Sequence, residues 1–151
     1  MAPPADEGPL RRRLSIVLTG LPPACFPEST GPLEAFTEKL LASPHFGERF
    51  ARHWMDVVRY TDTYGYEWDN PAKGSHEFRD YLIRAFNEDI GFDRLLREQL
   101  AGDLLPSPRL HPTAQTNESL IGPMFYHLGE HRHGSSLMFN GIHQELSLIH
   151  I

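Results

Sequence analysis

Apolar side chains recur at helical spacing in successive segments of this chain, with no sustained alternation of apolar and polar residues. The segments place leucine, phenylalanine, tryptophan or valine at steps of three or four over residues 9–19, 32–42, 44–61, 75–90 and 92–101. Such steps put side chains on one face of a helix, whereas a half-buried strand needs a step of two. The sequence therefore predicts a mainly α, irregular multi-helix domain with long loops and little or no β-sheet.

Turn-forming residues separate the predicted helices. Ser43 and Pro44 are typical of an N-cap and a first helical position, and Gly102 is a natural C-cap. A weaker helical pattern runs over residues 113–121. Residues 122–145 mix glycine, histidine and apolar residues without a period, so we predict irregular structure there.

The composition and charge of the chain limit the classes of protein to which it can belong. The chain has 151 residues, of which 40% are hydrophobic and 23% charged, which gives room for about one globular domain. Its net charge of -6 opposes non-specific nucleic-acid binding, which needs a basic face. Cys25 stands alone, so an internal disulfide or a C-x-x-C pair is excluded. No apolar run reaches the roughly 20 residues of a membrane span, and we expect no span here.

The two ends of the chain differ from its middle. Residues 1–8 are rich in proline and alanine, and we expect them to be mobile. Residues 146–151 (LSLIHI) read back into codons as the end of a common transposon-based sequencing adapter. We therefore expect an artefactual tail, with residues 9–145 forming part of a truncated helical domain. The alternative is a genuine amphipathic tail.

Tyrosines and carboxylates alternate after the third predicted helix. The candidate ligand-binding loop comprises Arg59, Tyr60, Asp62, Tyr64, Tyr66, Glu67 and Asp69. Aromatic rings stack on the apolar faces of sugars and carboxylates accept hydroxyl hydrogen bonds, so the pattern is typical of a carbohydrate site. Asp62 and Glu67 would suit general acid–base chemistry if their carboxyls lie about 5–9 Å apart. The alternative is a structural turn in which Arg59 pairs with Asp62 and the tyrosines anchor into the core.

Histidines cluster near the C-terminal end. The candidate metal- or haem-proximal residues are His127, Glu130, His131, His133 and His143. Imidazole and carboxylate ligands suit zinc, copper or iron. No regular element brings all of them to one face, so a loop would have to gather them. The alternative is a polar surface loop.

Three stretches carry a family resemblance. They are LTGLPP at Leu18–Pro23, the segment Leu41–Asp69, and the segment Phe78–Pro106. Their order and spacing resemble domain of unknown function 1549, the central domain of large planctomycete cytochrome-c-associated proteins. Phe125 to Glu145 resembles one branch of that family.

The resemblance implies a cofactor and a cellular location for the full-length protein. Family members continue into a C-x-x-C-H motif similar to a c-type haem attachment site, so we expect no cofactor within these residues and c-type haem in the full-length protein. His131, His133 and Met138 would then be neighbours of that haem. The implied location is periplasmic or extracellular, although residues 1–14 show no signal-peptide pattern.

Three functions follow as hypotheses. The first is an accessory helical domain of an exported haem electron-transfer protein, with flanking domains and a redox partner as its contacts. The second is a carbohydrate-binding or carbohydrate-active domain that uses the Tyr64–Asp69 loop on a polysaccharide. The third is a structural scaffold. Whether the protein is an enzyme is left open.

Overall fold

The computed structural model describes residues 6–27, 31–64 and 69–128. Five α-helices run in chain order, α1 (Glu7–Thr19), α2 (Leu33–Leu41), α3 (Pro44–Val58), α4 (Ser75–Asn87) and α5 (Phe92–Ala101). Short 3₁₀ helices occupy Pro23–Cys25, Gly102–Leu104, Glu118–Leu120 and Gly122–His127. Within the described ranges, β-pairing is limited to isolated bridges between Thr63 and Pro71 and between Leu110 and Asn117. The prediction of a mainly α chain is confirmed.

Local backbone chemistry sets the ends of the helices. Helix α1 ends at Gly20, whose φ of 74° is left-handed and whose N–H donates to the Ile16 carbonyl at 3.0 Å. Helix α3 ends at Val58, three residues before the predicted end, because Arg59 adopts a left-handed φ of 59°.

The helix predicted over residues 113–121 is wrong. The imidazole Nδ1 of His111 accepts hydrogen bonds from the N–H groups of Thr113 and Ala114, which holds residues 111–114 in a turn. Gln115 has a left-handed φ of 55°, which breaks the helical path. The segment is therefore a turn followed by the 3₁₀ helix Glu118–Leu120.

The chain divides into two compact units. The first unit comprises Met1–Val57 and Arg79–Gly91, and the second comprises Val58–Phe78 and Phe92–Ile151. None of the helices in the described part of the chain is long and apolar enough to cross a membrane.

The interior of the first unit is mostly apolar. Its fully or almost fully buried side chains include Phe36, Leu40, Ala51, Tyr81, Leu82 and Ala85. Asn87 fixes the start of α3, because its Oδ1 accepts the Gly47 N–H at 2.8 Å and its Nδ2 donates to the Pro44 carbonyl at 3.1 Å. That side chain acts as an N-cap delivered from a different helix.

The second unit is held by close backbone contacts as well as by apolar packing. Phe78 and Leu95 are buried, and the Phe78 ring lies 6.3 Å from the Phe125 ring. A Cβ on Gly102 would lie 1.8 Å from the Ser119 carbonyl oxygen. A Cβ on Gly122 would lie 2.3 Å from the Glu98 carbonyl oxygen. Glycine is thus required where residues 119–122 approach the end of α5.

Candidate functional site

Backbone hydrogen bonds join the two sides of the loop that carries the tyrosines and carboxylates. The Ala72 N–H donates to the Asp62 carbonyl at 2.9 Å, and the Tyr64 N–H donates to the Asn70 carbonyl at 2.8 Å. The Thr63–Pro71 bridge lies between these two bonds. Tyr66 and Glu67 belong to residues 65–68, which lie outside the described part of the chain.

Tyr60 and Asp62 are in direct contact on this loop. The Tyr60 hydroxyl donates to Asp62 Oδ1 at 2.5 Å, a length typical of a hydrogen bond to a charged acceptor. The Tyr60 ring stacks on Phe78, with centroids 6.5 Å apart and planes at 18°. Phe78 is fully buried, and the Asp62 side chain is exposed. A core aromatic residue therefore orients a tyrosine that holds a solvent-facing carboxylate.

The remaining described members of the predicted site belong to the same loop. Arg59 and Asp69 are exposed and both have left-handed backbones, with φ of 59° and 40°. Tyr64 is half-buried. The Thr61 hydroxyl is buried, and none of the described residues gives it a hydrogen bond. The contact with Asp62 comes from Tyr60, whereas the structural alternative placed Arg59 there.

A second cluster of charged residues lies inside the second unit. The Glu98 carboxylate is fully buried. It accepts hydrogen bonds from Arg94 Nε at 3.0 Å, from Arg109 Nη2 at 3.1 Å and from the Ser119 hydroxyl at 3.1 Å. Donors from three separate segments therefore converge on one acidic side chain.

Glu118 adds a further buried carboxylate to this cluster. It is fully buried, and its Oε2 lies 3.8 Å from Arg109 Nη1. The backbone of Arg109 is fixed as well, because its N–H donates to the Ser119 hydroxyl at 2.9 Å and its carbonyl accepts the Glu118 N–H at 2.8 Å. Buried charges are tolerated only when they are paired. The cluster therefore fixes the position of residues 109–119 against α5.

Sequence reasoning missed this cluster. The spacing of Arg94 and Glu98 by four residues is visible in the sequence, but it is also the spacing of an ordinary exposed helical pair. No local pattern connects either residue with Arg109 or Ser119.

The comparison with family models decides the family. The model described as "PSCyt2: Protein of unknown function (DUF1549)" matches residues 1–145. The chain belongs to this family. The resemblance inferred from its three motifs is therefore confirmed. Comparisons with curated proteins and with solved structures gave no match.

Most of the predicted histidine cluster of this DUF1549 chain lies outside the described residues. That applies to Glu130, His131, His133, Met138 and His143, and to the side chain of His127. The backbone of His127 ends the 3₁₀ helix Gly122–His127. Among residues 6–27, 31–64 and 69–128, no group of three or more histidine, cysteine, aspartate or glutamate side chains is placed to hold a metal. Cys25 is exposed.

Proposed function

We propose that this DUF1549 domain is a carbohydrate-binding module and that the loop from Arg59 to Ala72 is its binding surface. The observation that carries the proposal is the Tyr60–Asp62 pair, an exposed carboxylate held at 2.5 Å by a tyrosine that stacks on a buried ring. Because this carboxylate is already oriented beside aromatic rings, it accepts hydrogen bonds from sugar hydroxyls at a smaller cost in side-chain entropy.

The charge of the loop narrows the class of sugar. Asp62 and Asp69 are both exposed carboxylates, and the chain as a whole is acidic. A polyanionic polysaccharide would be repelled by these groups. Neutral polysaccharides are therefore the ligand class that the loop suits.

Affinity electrophoresis in gels that contain soluble neutral polysaccharides tests this function. We expect retardation of the intact chain and, for Asp62→Asn, a loss of affinity of about tenfold or more, because a charge-assisted hydrogen bond is removed. Asp93→Asn is the matched control, since Asp93 is an exposed aspartate on α5. Binding of none of the polysaccharides, or equal loss in both variants, would contradict the proposal.

A second set of variants separates binding from folding. Tyr66→Ala and Glu67→Ala change two further residues of the predicted ligand-binding loop, and Tyr126→Ala changes an exposed tyrosine elsewhere in the second unit. The first two variants should weaken retardation while the third leaves it unchanged. If all three bind alike, the loop is a structural turn and the scaffold hypothesis gains support.

A haem-linked role is the second candidate function. We propose it because the histidine segment begins directly after an aromatic pair, Phe125 and Tyr126, whose ring centroids are 4.1 Å apart and of which Tyr126 is 53% exposed. Such a surface would suit the edge of a haem carried by a longer parent protein, and the family resemblance supports an exported location for it.

Spectroscopy on the parent protein tests the haem-linked role. His131→Ala and His133→Ala should shift the haem absorption bands or the midpoint potential if either imidazole lies beside the haem. His76→Ala is the control, because His76 is an exposed histidine on α4. Absence of haem bands in the parent protein, or spectra unchanged by both variants, would remove this candidate.

A further inference from the structure

Helix α5 buries polar side chains and exposes large apolar ones. Leu95 is buried, and so are Glu98 and Gln99 on the same side of the helix. Phe92 and Leu100, in contrast, are 64% and 66% exposed. Because burial of apolar surface is the main force that favours folding, a helix that buries a carboxylate while it exposes a phenylalanine and a leucine needs a physical reason.

The buried charge cluster determines which side of α5 faces the interior. Glu98 points inward because two arginines and a serine hydroxyl hold its carboxylate. Successive residues of a helix are about 100° apart, so the inward position of Glu98 turns Phe92, Leu96 and Leu100 away from the interior. These three residues, called here the apolar row, follow one another at steps of four and lie on one side of the helix. Leu96 is half-buried.

One pair of opposite charges lies along the flank of the apolar row. Asp93 and Arg97 form an ion pair at 3.2 Å, and their side chains are 68% and 67% exposed. Each residue follows a member of the apolar row by one position, so both lie on the same flank. The aspartate is nearer the start of the helix and the arginine nearer its end. The apolar row and this pair together are called here the α5 face, which carries one charge of each sign.

The α5 face is complementary to itself in an antiparallel arrangement. A two-fold axis that lies in the contact plane and is perpendicular to the helix keeps the charged flank on the same side and reverses its direction. Asp93 of each copy then lies beside Arg97 of the other, whereas a parallel two-fold pair puts the two charged flanks on opposite sides. Rows at steps of four also pack against rows of the same kind, at about 50° between helix axes. A second copy therefore matches both the charge order and the row spacing.

We propose that this chain forms a two-fold dimer in which the α5 faces of two copies pack antiparallel. The contact covers Phe92 and Leu100 of both copies, and it joins the two Asp93–Arg97 pairs into a network of four charges at the rim. Helix α5 has 10 residues, so the contact stays near the low end of specific interfaces, at about 1,200 Å² or less. We expect a dissociation constant on the order of 100 μM. At low micromolar concentration the chain is then a monomer, in which Asp93 is an ordinary surface residue.

Removal of the apolar row tests the dimer. In sedimentation equilibrium of the full chain at up to about 1 mM, we expect the average mass to approach that of two chains. Phe92→Gln with Leu100→Gln should raise the dissociation constant at least about tenfold, because the apolar centre of the contact is lost. Ile16→Gln with Val57→Gln is the matched control, since these apolar residues are 41% and 73% exposed on α1 and α3. The control should dimerise like the parent chain.

Charge reversal tests the antiparallel orientation. Asp93→Arg and Arg97→Asp each bring like charges together across the contact, so each variant alone should raise the dissociation constant at least about threefold. An equimolar mixture of the two variants should associate more tightly than either alone, because every contact across the dimer then pairs opposite charges. The double variant, Asp93→Arg with Arg97→Asp, keeps the net charge and should dimerise like the parent chain.

Four results would overturn the proposal. A parent chain that stays monomeric at the highest concentration would leave the α5 face to a partner other than a second copy. The other three are a dimer unchanged by loss of the apolar row, a control that loses the dimer, and a mixture that associates no more tightly than its components. Circular dichroism checks that the variants fold. If Phe92→Gln with Leu100→Gln unfolds the chain, the mixture and the double charge reversal decide.

Discussion

The two units of this DUF1549 chain have interiors of different chemistry. The first unit buries aromatic and aliphatic side chains, whereas the second also buries two carboxylates, Glu98 and Glu118, with Gln99 and Ser119. Apolar burial is non-directional and tolerates small shifts. A buried carboxylate needs its donors at hydrogen-bond distance, so the second unit fixes the position of residues 109–119 more strictly. The predictions below test that difference.

Removal of the Glu98 carboxylate should have the largest effect. Glu98→Ala leaves Arg109, whose side chain is only 13% exposed, without its main acceptor. We expect a loss of about 3 kcal/mol in the free energy of unfolding, measured by urea denaturation. Hydrogen exchange should show the loss in the second unit, at the amides of residues 109–119.

The control for Glu98 lies on the same helix. Asp93 pairs with Arg97 at 3.2 Å, and both side chains are about two thirds exposed. Asp93→Ala should cost less than about 0.5 kcal/mol, because exposed pairs contribute little. Equal effects of the two substitutions would show that the buried cluster is no more important than a surface pair, and the contrast between the units would fail.

Gly102→Ala should be the next most damaging change. Its Cβ would meet the Ser119 carbonyl oxygen at 1.8 Å, and that atom belongs to the backbone that presents Ser119 to Glu98. We expect a loss of about 2 kcal/mol or more, measured by thermal and urea unfolding. Gly8→Ala is the control, because a Cβ there meets nothing within 4 Å and alanine favours the helix. A stable Gly102→Ala would mean that the segment can move away freely.

The sequence predicts much of the fold because the helices follow from local patterns. Helix α2 lies within one residue of its predicted bounds, and α5 coincides with its predicted segment. The features that the sequence does not predict depend on contacts between residues that are far apart in the chain. The predicted apolar face of α5 included Phe92 and Leu100, which are 64% and 66% exposed, while Glu98 is fully buried. Apolar periodicity alone therefore places Leu95 in the interior correctly, but it predicts neither the burial of Glu98 nor the exposure of Phe92 and Leu100.

The candidate loop shows the same limit. The sequence places its tyrosines and carboxylates after α3, and the structure keeps Tyr60 and Asp62 together. The partner of Asp62 is Tyr60, two residues before it, in a loop that begins at the left-handed residue Arg59. The stacking on Phe78 joins residues 18 positions apart, and no spacing rule predicts it.

Asn87 offers the corresponding test in the first unit. Asn87→Ala removes the acceptor of the Gly47 N–H and the donor to the Pro44 carbonyl. We expect a loss of about 1 kcal/mol, as for other N-caps, measured by urea denaturation. Asn70→Ala is the control, because Asn70 is exposed and contributes its backbone carbonyl to the loop. A loss as large as that of Glu98→Ala would show that the first unit also depends on one polar contact.

The smallest effect should come from the turn that carries Arg109 and Glu118. His111 Nδ1 accepts the Ala114 N–H at 3.0 Å, and the His111 N–H donates to the Thr116 carbonyl at 2.8 Å. His111→Ala removes only the side-chain acceptor, so we expect a loss of about 0.5 kcal/mol. Its clearest readout is faster amide exchange at residue 114, and His111→Asp should restore protection, because a carboxylate accepts the same N–H groups. If His111→Ala instead destabilises the chain as strongly as Glu98→Ala, then the turn, and not the buried carboxylate, organises the second unit.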